Sequence, residues 1–301
     1  NSNAADTNDY IDIESLAQVY LINEFGKNWD AGAGSFYFVY KPDENGKYKF
    51  FASPVWDYDN SLGNAIGVEK ELSNIGVSDY EEYSGWWCKY KGRKSGARST
   101  SNIMNYISRN KTVLGAAPQI WFEDFVPAIN HFEGTKTNSV INKEFYTAEN
   151  YYSLVKGSAE MNYQSGWLLD TGDWIADHTS LNVAHFDLAT KTYTVDSSAT
   201  TYENTFEGMY NYCVDWMTSR AAWLSSKMAD DYTPVEYKKG DINLDGEVKV
   251  DDATLMQKYA CDLTEITALQ MEIGDVNGDG KVNVIDSTEV QKYIAGIITS
   301  F

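Results

Sequence analysis

The chain has 301 residues, 43% of them hydrophobic, and a formal net charge of −20 at pH 7. That size suffices for one large domain or for a medium and a small one, and the charge argues against nucleic-acid binding and against anionic membrane surfaces, since both need a basic face. No stretch approaches the roughly 18 apolar residues of a membrane span, no basic-then-apolar leader opens the chain, and Cys88, Cys213 and Cys261 allow at most one bridge, which leaves the redox compartment open.

The opening segment, Asn1 to Asp9, is polar and loop-like and reads as a mature or trimmed end. Helical spacing of Leu16, Val19, Tyr20, Leu21 and Phe25 predicts a helix over Ile13 to Phe25, capped by Asp12 and ended by Gly26. Two strand-like runs follow, Phe36 to Tyr40 and Tyr48 to Phe51, and the Asn45-Gly46 turn between them predicts a hairpin. A third short run ends at Trp56 and leads into Asp57-Tyr-Asp59. Between about Val68 and Asn204 the pattern is mixed, with a helix expected over Gln119 to Phe132 and a strand over Thr192 to Val195. Phe206, Met209, Tyr210, Cys213, Trp216, Met217, Trp223, Leu224 and Met228 then form one broad stripe of a helix. The short Pro-containing stretch after it places a stiff linker at 232–239, between a large domain at 1–231 and a small one at 240–301.

The small domain carries 12 acidic and 4 basic residues, a balance suited to a cation. Gly240-Asp-Ile-Asn-Leu-Asp-Gly-Glu-Val-Lys-Val-Asp-Asp252 recurs 34 residues later as Gly274-Asp-Val-Asn-Gly-Asp-Gly-Lys-Val-Asn-Val-Ile-Asp286. Each copy fits a twelve-residue calcium loop: oxygen donors at positions 1, 3 and 5, Gly at 6, a main-chain carbonyl at 7 and a carboxylate at 12. Site one would use Asp241, Asn243, Asp245, Glu247 and Asp252; site two would use Asp275, Asn277, Asp279, Lys281, Asn283 and Asp286. Alternate positions turn their oxygens inward as the loop curls, and Gly246 and Gly280 take the turn a side chain would obstruct. Val248 and Val282, at position 8, are placed to join the two loops through an apolar contact. Merely solvated acidic turns, the plain alternative, give no reason for seven positions to recur in register. Position 9 breaks the match. Lys249 stands where Asn283 stands in copy two, and an ammonium supplies no oxygen and opposes the ion, so site one is expected to be weaker.

On these motifs residues 240–301 resemble a dockerin, a pair of F-hand repeats in which each loop is followed by one helix. The helices match as well, Ala253 to Tyr259 against Ser287 to Tyr293, and position 12 is Asp rather than the Glu usual in EF-hands. The resemblance implies two calcium ions, a cohesin module of a scaffoldin as partner, and residence in an extracellular, cell-surface cellulosome. It implies recognition through Val250, Asp251, Lys258 and Tyr259 in copy one and Val284, Ile285, Lys292 and Tyr293 in copy two. Asp251 against Ile285, and Leu255 against Glu289, make the two faces unequal.

The large domain resembles the CotH kinase family over roughly residues 10 to 228. The resemblance rests on Tyr20-Leu-Ile-Asn-Glu-Phe-Gly-Lys-Asn-Trp-Asp30, Ser35-Phe-Tyr-Phe-Val-Tyr40, Pro54-Val-Trp-Asp-Tyr-Asp-Asn-Ser-Leu-Gly63, and Asp215-Trp216 with Arg220 to Leu224. It implies an α+β fold like the C-terminal lobe of an atypical kinase, helices plus a β-hairpin, ahead of a small all-α dockerin. It makes Asp30 the catalytic aspartate and Asp57 a magnesium ligand, with Asp59 a second candidate, in the order kinases use. Two departures lead to an expectation of inactivity in this fragment. Ala31-Gly-Ala-Gly-Ser35 lacks the metal-holding Asn, and too little chain precedes Asp30 for the nucleotide-binding lobe, so magnesium and ATP belong only to a complete kinase. A plant-polysaccharide glycoside hydrolase or a carbohydrate-binding module is the alternative. The hydrolase would need facing carboxylates, and Glu123-Asp124 is the one tempting pair. The binding module would use Trp86, Trp87 and Trp167, which equally suit a core. His131, His178 and His185 form no metal-ligand pattern.

Overall fold

The computed structural model describes residues 9–28, 35–58, 61–63, 82–89, 94–95, 98–99, 103–132, 148–164, 180–203, 205–234 and 237–301. Two compact units emerge from it, Asn1–Phe122 with Tyr152–Tyr232, and Glu123–Tyr151 with Thr233–Phe301.

The first unit is organised by helix α1, Ile13–Gly26. Asp12 starts it by accepting the N–H of Ser15 at 2.8 Å, and Lys27 ends it in the left-handed conformation. Leu16, Ala17, Tyr20, Leu21 and Phe25 are buried, and so are the polar Asn23 and Glu24. Burial on more than one face marks a central helix rather than a surface one. Strands β1 (Phe38–Pro42) and β2 (Tyr48–Ala52) form the expected hairpin, with register Phe38↔Ala52 through Pro42↔Tyr48. The first strand starts two residues later than its hydrophobic run. The turn is built by Asp43, whose carboxylate accepts the N–H of Asn45 at 3.0 Å and of Lys47 at 2.9 Å, while Gly46 takes a positive φ. The run ending at Trp56 makes no strand. Pro54 has no N–H to give to a ladder, and Val55 and Trp56 are exposed.

Two short strands, β3 (Lys94–Ser95) and β4 (Arg98–Ser99), pair with each other, and α2 (Ile103–Ile107) follows. The helix expected at Gln119 begins earlier. Asn110 caps α3 (Lys111–Ile120) by accepting the N–H of Thr112 and Val113. The helix then passes through a π turn, Trp121–Phe125, into α4, Val126–Phe132. Pro118 lies inside α3, so a proline that suggests a boundary in sequence is absorbed just before the wider π turn. Helix α5, Ala148–Gln164, lies in the segment whose pattern is mixed. Strands β5 (Ser180–Leu181) and β8 (Thr200–Thr201) pair around a second hairpin, β6 (Ala184–Asp187) with β7 (Thr192–Val195).

Helix α6, Phe206–Met228, packs on β6 and on α1. Thr205 caps it, and Gly208 is required where it stands, because a Cβ there would lie 1.9 Å from the carbonyl oxygen of Glu203. Trp216 and Leu224 of the expected stripe are fully buried, but so are Ser219 and Arg220. The Ser219 hydroxyl donates to Asp215 O and accepts the N–H of Ala184, fastening β6 to the helix.

The C-terminal part of the second unit is helical: α7 (Val250–Ala260), α8 (Ala268–Gly274) and α9 (Val284–Ile294). Ile242, Ala253, Met256, Met271, Val276, Val282 and Val290 make its core, and Val248 packs against it with Val282 inside, as expected of the two position-8 valines. Loop one follows no helix among the described residues, whereas loop two follows α8 directly.

Candidate functional site

The two acidic loops have the same internal bonding, 34 residues apart. In loop one Asp241 accepts the N–H of Asp245 (3.1 Å) and Gly246 (2.8 Å), Asn243 accepts that of Asp245 (2.9 Å), and Asp245 accepts that of Glu247 (2.9 Å). Asp252 closes the loop by accepting the N–H of Asn243 (3.0 Å) and Lys249 (2.7 Å). In loop two Asp275 accepts from Asp279 (3.0 Å) and Gly280 (2.9 Å), Asn277 from Asp279 (2.8 Å), Asp279 from Lys281 (3.0 Å), and Asp286 from Asn277 (3.3 Å) and Asn283 (2.9 Å). Gly246 and Gly280 both take positive φ at the bend, at 89° and 84°.

This arrangement fits a divalent cation. Each carboxylate oxygen has a second lone pair beyond the one its N–H uses. Asp252 and Asp286 are fully buried, and burial, with neighbouring acids adding to it, pushes both carboxyls above their ordinary range. The acids that act on them are Asp241 and Asp251 for the first, Asp275 and Asp279 for the second. A hard cation would relieve that repulsion, and the carboxylate, amide and main-chain oxygens on hand are the donors calcium takes. Among the described residues no group of three or more His, Cys, Asp and Glu side chains suffices as a metal cluster by itself. A cation in either loop would need the expected amide and main-chain oxygens as well, Asn243 and the Glu247 carbonyl in loop one and Asn277, Asn283 and the Lys281 carbonyl in loop two.

The loops differ in their ammonium groups. Lys249 Nζ lies 2.5 Å from Glu247 and 3.5 Å from Asp245, and the Glu247 contact raises the lysine's pKa. Lys238, outside the loop, donates to the carbonyl of Gly246 at 2.5 Å. Sequence spacing marks Lys249 but gives no sign of Lys238.

The proposed recognition residues lie where the helices begin and along their outer faces. Val250, Asp251, Lys258, Val284, Ile285 and Tyr293 are exposed, while Tyr259 and Lys292 are half-buried. The Tyr293 ring packs against that of Phe301, 4.8 Å away. Phe301 also closes over Gly240, where a Cβ would come within 3.0 Å of its ring.

In the first unit Asp57 sits just past the hairpin with φ 67°, a left-handed conformation that an aspartate tolerates better than most residues. The Ser35 hydroxyl donates to Asp57 Oδ2 at 2.8 Å, and the buried Asn28 amide donates to the Asp57 carbonyl at 2.9 Å. Ser35, at the end of the stretch that lacks the metal-holding Asn, thus touches the proposed metal ligand. Asp30 and Asp59 lie outside the described residues, as do His178 and Trp167.

Glu123 accepts the hydroxyl of Tyr237 at 2.8 Å, a bond that ties down the carboxylate of the hydrolase pair. Trp87 is buried with its indole N–H on Asn28 O, and Trp86 packs edge-on against Trp223, so both serve packing. His185 is exposed and faces Asp196 at 3.5 Å.

Residues 239–295 match the family model of the dockerin type I domain, and residues 1–106 match that of the CotH kinase protein. The CotH match stops at residue 106, whereas the resemblance in sequence motifs runs on to about residue 228. No curated protein and no solved structure matches the chain.

Proposed function

We infer that this chain is a component of an extracellular cellulosome, held there by a dockerin that binds a scaffoldin cohesin only when calcium fills its loops. The observation that carries the reading is the pair of loops whose buried closing carboxylates, Asp252 and Asp286, sit among like charges with identical bonding to their own main chain. Asp241, Asn243, Asp245, the Glu247 carbonyl and Asp252 would hold one ion. Asp275, Asn277, Asp279, the Lys281 carbonyl, Asn283 and Asp286 would hold the other. Calcium supplies the positive charge that lets these acids share a loop, and the ordered loops fix α7 and α9 for docking. Among the described residues no helix is long and apolar enough to cross a membrane. The test is calorimetric binding of the whole chain to immobilised cohesins with calcium and with excess chelator. Unchanged binding in chelator refutes the reading.

For the first unit the reading is a CotH-like domain whose phosphoryl transfer needs a complete kinase, in which Asp30 would orient the acceptor hydroxyl and Asp57, aided by Asp59, would hold magnesium on the phosphates of ATP; the residues present here are expected to be inactive alone. The strained Asp57 backbone, with its carboxylate on Ser35 and its carbonyl on Asn28, favours it over the hydrolase, since strain of this kind gathers at functional sites. Transfer of labelled phosphate from ATP by the full-length protein, absent from the fragment alone and lost in Asp57→Asn and Asp30→Ala, tests this reading, and retention in both variants excludes it.

A further inference from the structure

The two repeats present different outer faces at equivalent positions. On α7 the exposed set is Val250, Asp251 and Lys258, and Leu255 is partly withdrawn into the module core. On α9 it begins with two adjacent apolar residues, Val284 at 57% and Ile285 at 54% exposure. Further along α9 the Lys292 and Glu289 charges are matched to each other, with Lys292 Nζ 2.7 Å from Glu289. Beyond them Tyr293 rests on Phe301, while the 72%-exposed Ile297 has an equally exposed counterpart in repeat one, Leu263 at 75%, so the difference lies at Ile285 against Asp251.

Association strips water from both surfaces. Docking through α7 would desolvate the Asp251 carboxylate and the Lys258 ammonium, each of which must then find a counter-charge on the partner. Docking through α9 removes Val284 and Ile285 from water at a gain, and its two charged side chains arrive paired with each other. Thr254 and Thr288 do not separate the faces, since each hydroxyl is spent on the carbonyl four residues earlier.

We propose that the chain docks in one orientation, through the α9 face, onto a cohesin whose contacting patch is apolar rather than charged, with Ile285 as the residue that fixes the orientation. The proposal rests on the docking function inferred above. It is tested with the full chain in calcium against a panel of purified type I cohesins, comparing the unaltered chain with Ile285→Asp, which installs the residue found at the same position of repeat one, and with Asp251→Lys. Calcium titration of each variant checks that both loops still fill. The expected result is that Ile285→Asp weakens the tightest-binding cohesin by at least about tenfold and by severalfold more than Asp251→Lys does. Equal losses from both variants, or a loss from Asp251→Lys alone, overturn the orientation and leave the docking function standing. Failure of the unaltered chain to bind any cohesin of the panel overturns the docking function, and the orientation with it.

Discussion

The hydroxyl of Ser287 donates to the main-chain carbonyl of Ala253 at 3.0 Å, and the two residues hold the same position of successive repeats. Both are buried, Ser287 at 0% and Ala253 at 1% exposure, so α7 and α9 cross where the side chains are smallest. Ser287→Ala should cost about 1 kcal/mol, since the carbonyl keeps its helical partner and only one net hydrogen bond disappears. Ser287→Leu should cost about 1–3 kcal/mol by overpacking the crossing. Denaturant unfolding in saturating calcium measures both, and a Leu variant as stable as the Ala variant would show that the helices can part without loss.

Lys249 sets the two acidic loops apart. Its ammonium lies against Asp245 and Glu247, inside the loop a cation has to enter. Lys249→Asn removes that competing charge and restores the residue that loop two has at the same position. Calcium titration by calorimetry should show two affinities in the natural chain and a severalfold tightening of the weaker one in Lys249→Asn. The tighter affinity should stay put in Lys281→Asn, because position 7 of loop two contributes its carbonyl.

Asp252 and Asp286 predict opposite pH dependences with and without metal. Burial raises both carboxyls above 3.8, so without calcium the folded loops hold their protons more tightly than the unfolded chain does. Folding is then linked to proton uptake. The contribution is fully present below about 3.8 and is lost as pH rises through the higher folded-state value. With calcium the sign reverses, because protons compete with the ion for the same oxygens. Melting in chelator should therefore show this module gaining stability as pH falls through the mildly acidic range, and melting in calcium should show it losing stability. Parallel trends in the two buffers would mean that these carboxylates do not bind the ion.

Much of the docking module could be read from sequence because its chemistry is periodic. The candidate ligand positions recur every 34 residues and need no knowledge of distant contacts. Helix α8 escaped that logic, being seven residues long and present in one repeat only, although Thr267 and Gln270 form a capping box that announces it. The large domain was less legible because its decisive pairs are remote. Nothing local to Ser35 indicates that it reaches Asp57, and a stripe of apolar residues on α6 hides the fact that its most buried charge is an arginine.

That arginine carries the heaviest predicted loss. Arg220 Nη2 lies 3.0 Å from Glu24 Oε1, with both side chains essentially inaccessible. Arg220 also donates to the carbonyls of Glu24, Tyr83 and Gly85, and Glu24 accepts the N–H groups of Trp87 and Cys88. Arg220→Ala would strand a buried carboxylate and unbind the loop at 83–88, at about 3–5 kcal/mol. Arg220→Lys should recover little, because one ammonium cannot span the carbonyls that the planar fork reaches. The combined Glu24→Gln, Arg220→Met change should be milder than Arg220→Ala alone. Urea unfolding of the three variants decides, and a double variant worse than the single one would place the effect in packing rather than in the unpaired charge.

The backbone of Asp57 offers the last prediction, which separates stability from function. At φ 67° a residue with a Cβ is strained by about 1–2 kcal/mol relative to glycine. Asp57→Gly releases that strain while losing the exposed hydrogen bond from Ser35, so the two changes nearly cancel and the stability should stay within about 1 kcal/mol. Asp57→Ala keeps the strain and loses the bond, and should be less stable than Asp57→Gly by about 1 kcal/mol or more. If the aspartate is there to hold a metal, neither variant should keep phosphate transfer, and Asp57→Gly will be folded but inactive. Were Asp57 only a turn residue, Asp57→Gly would retain both stability and transfer, so thermal unfolding and labelled-phosphate assays on the same two variants of the full-length protein decide between the roles.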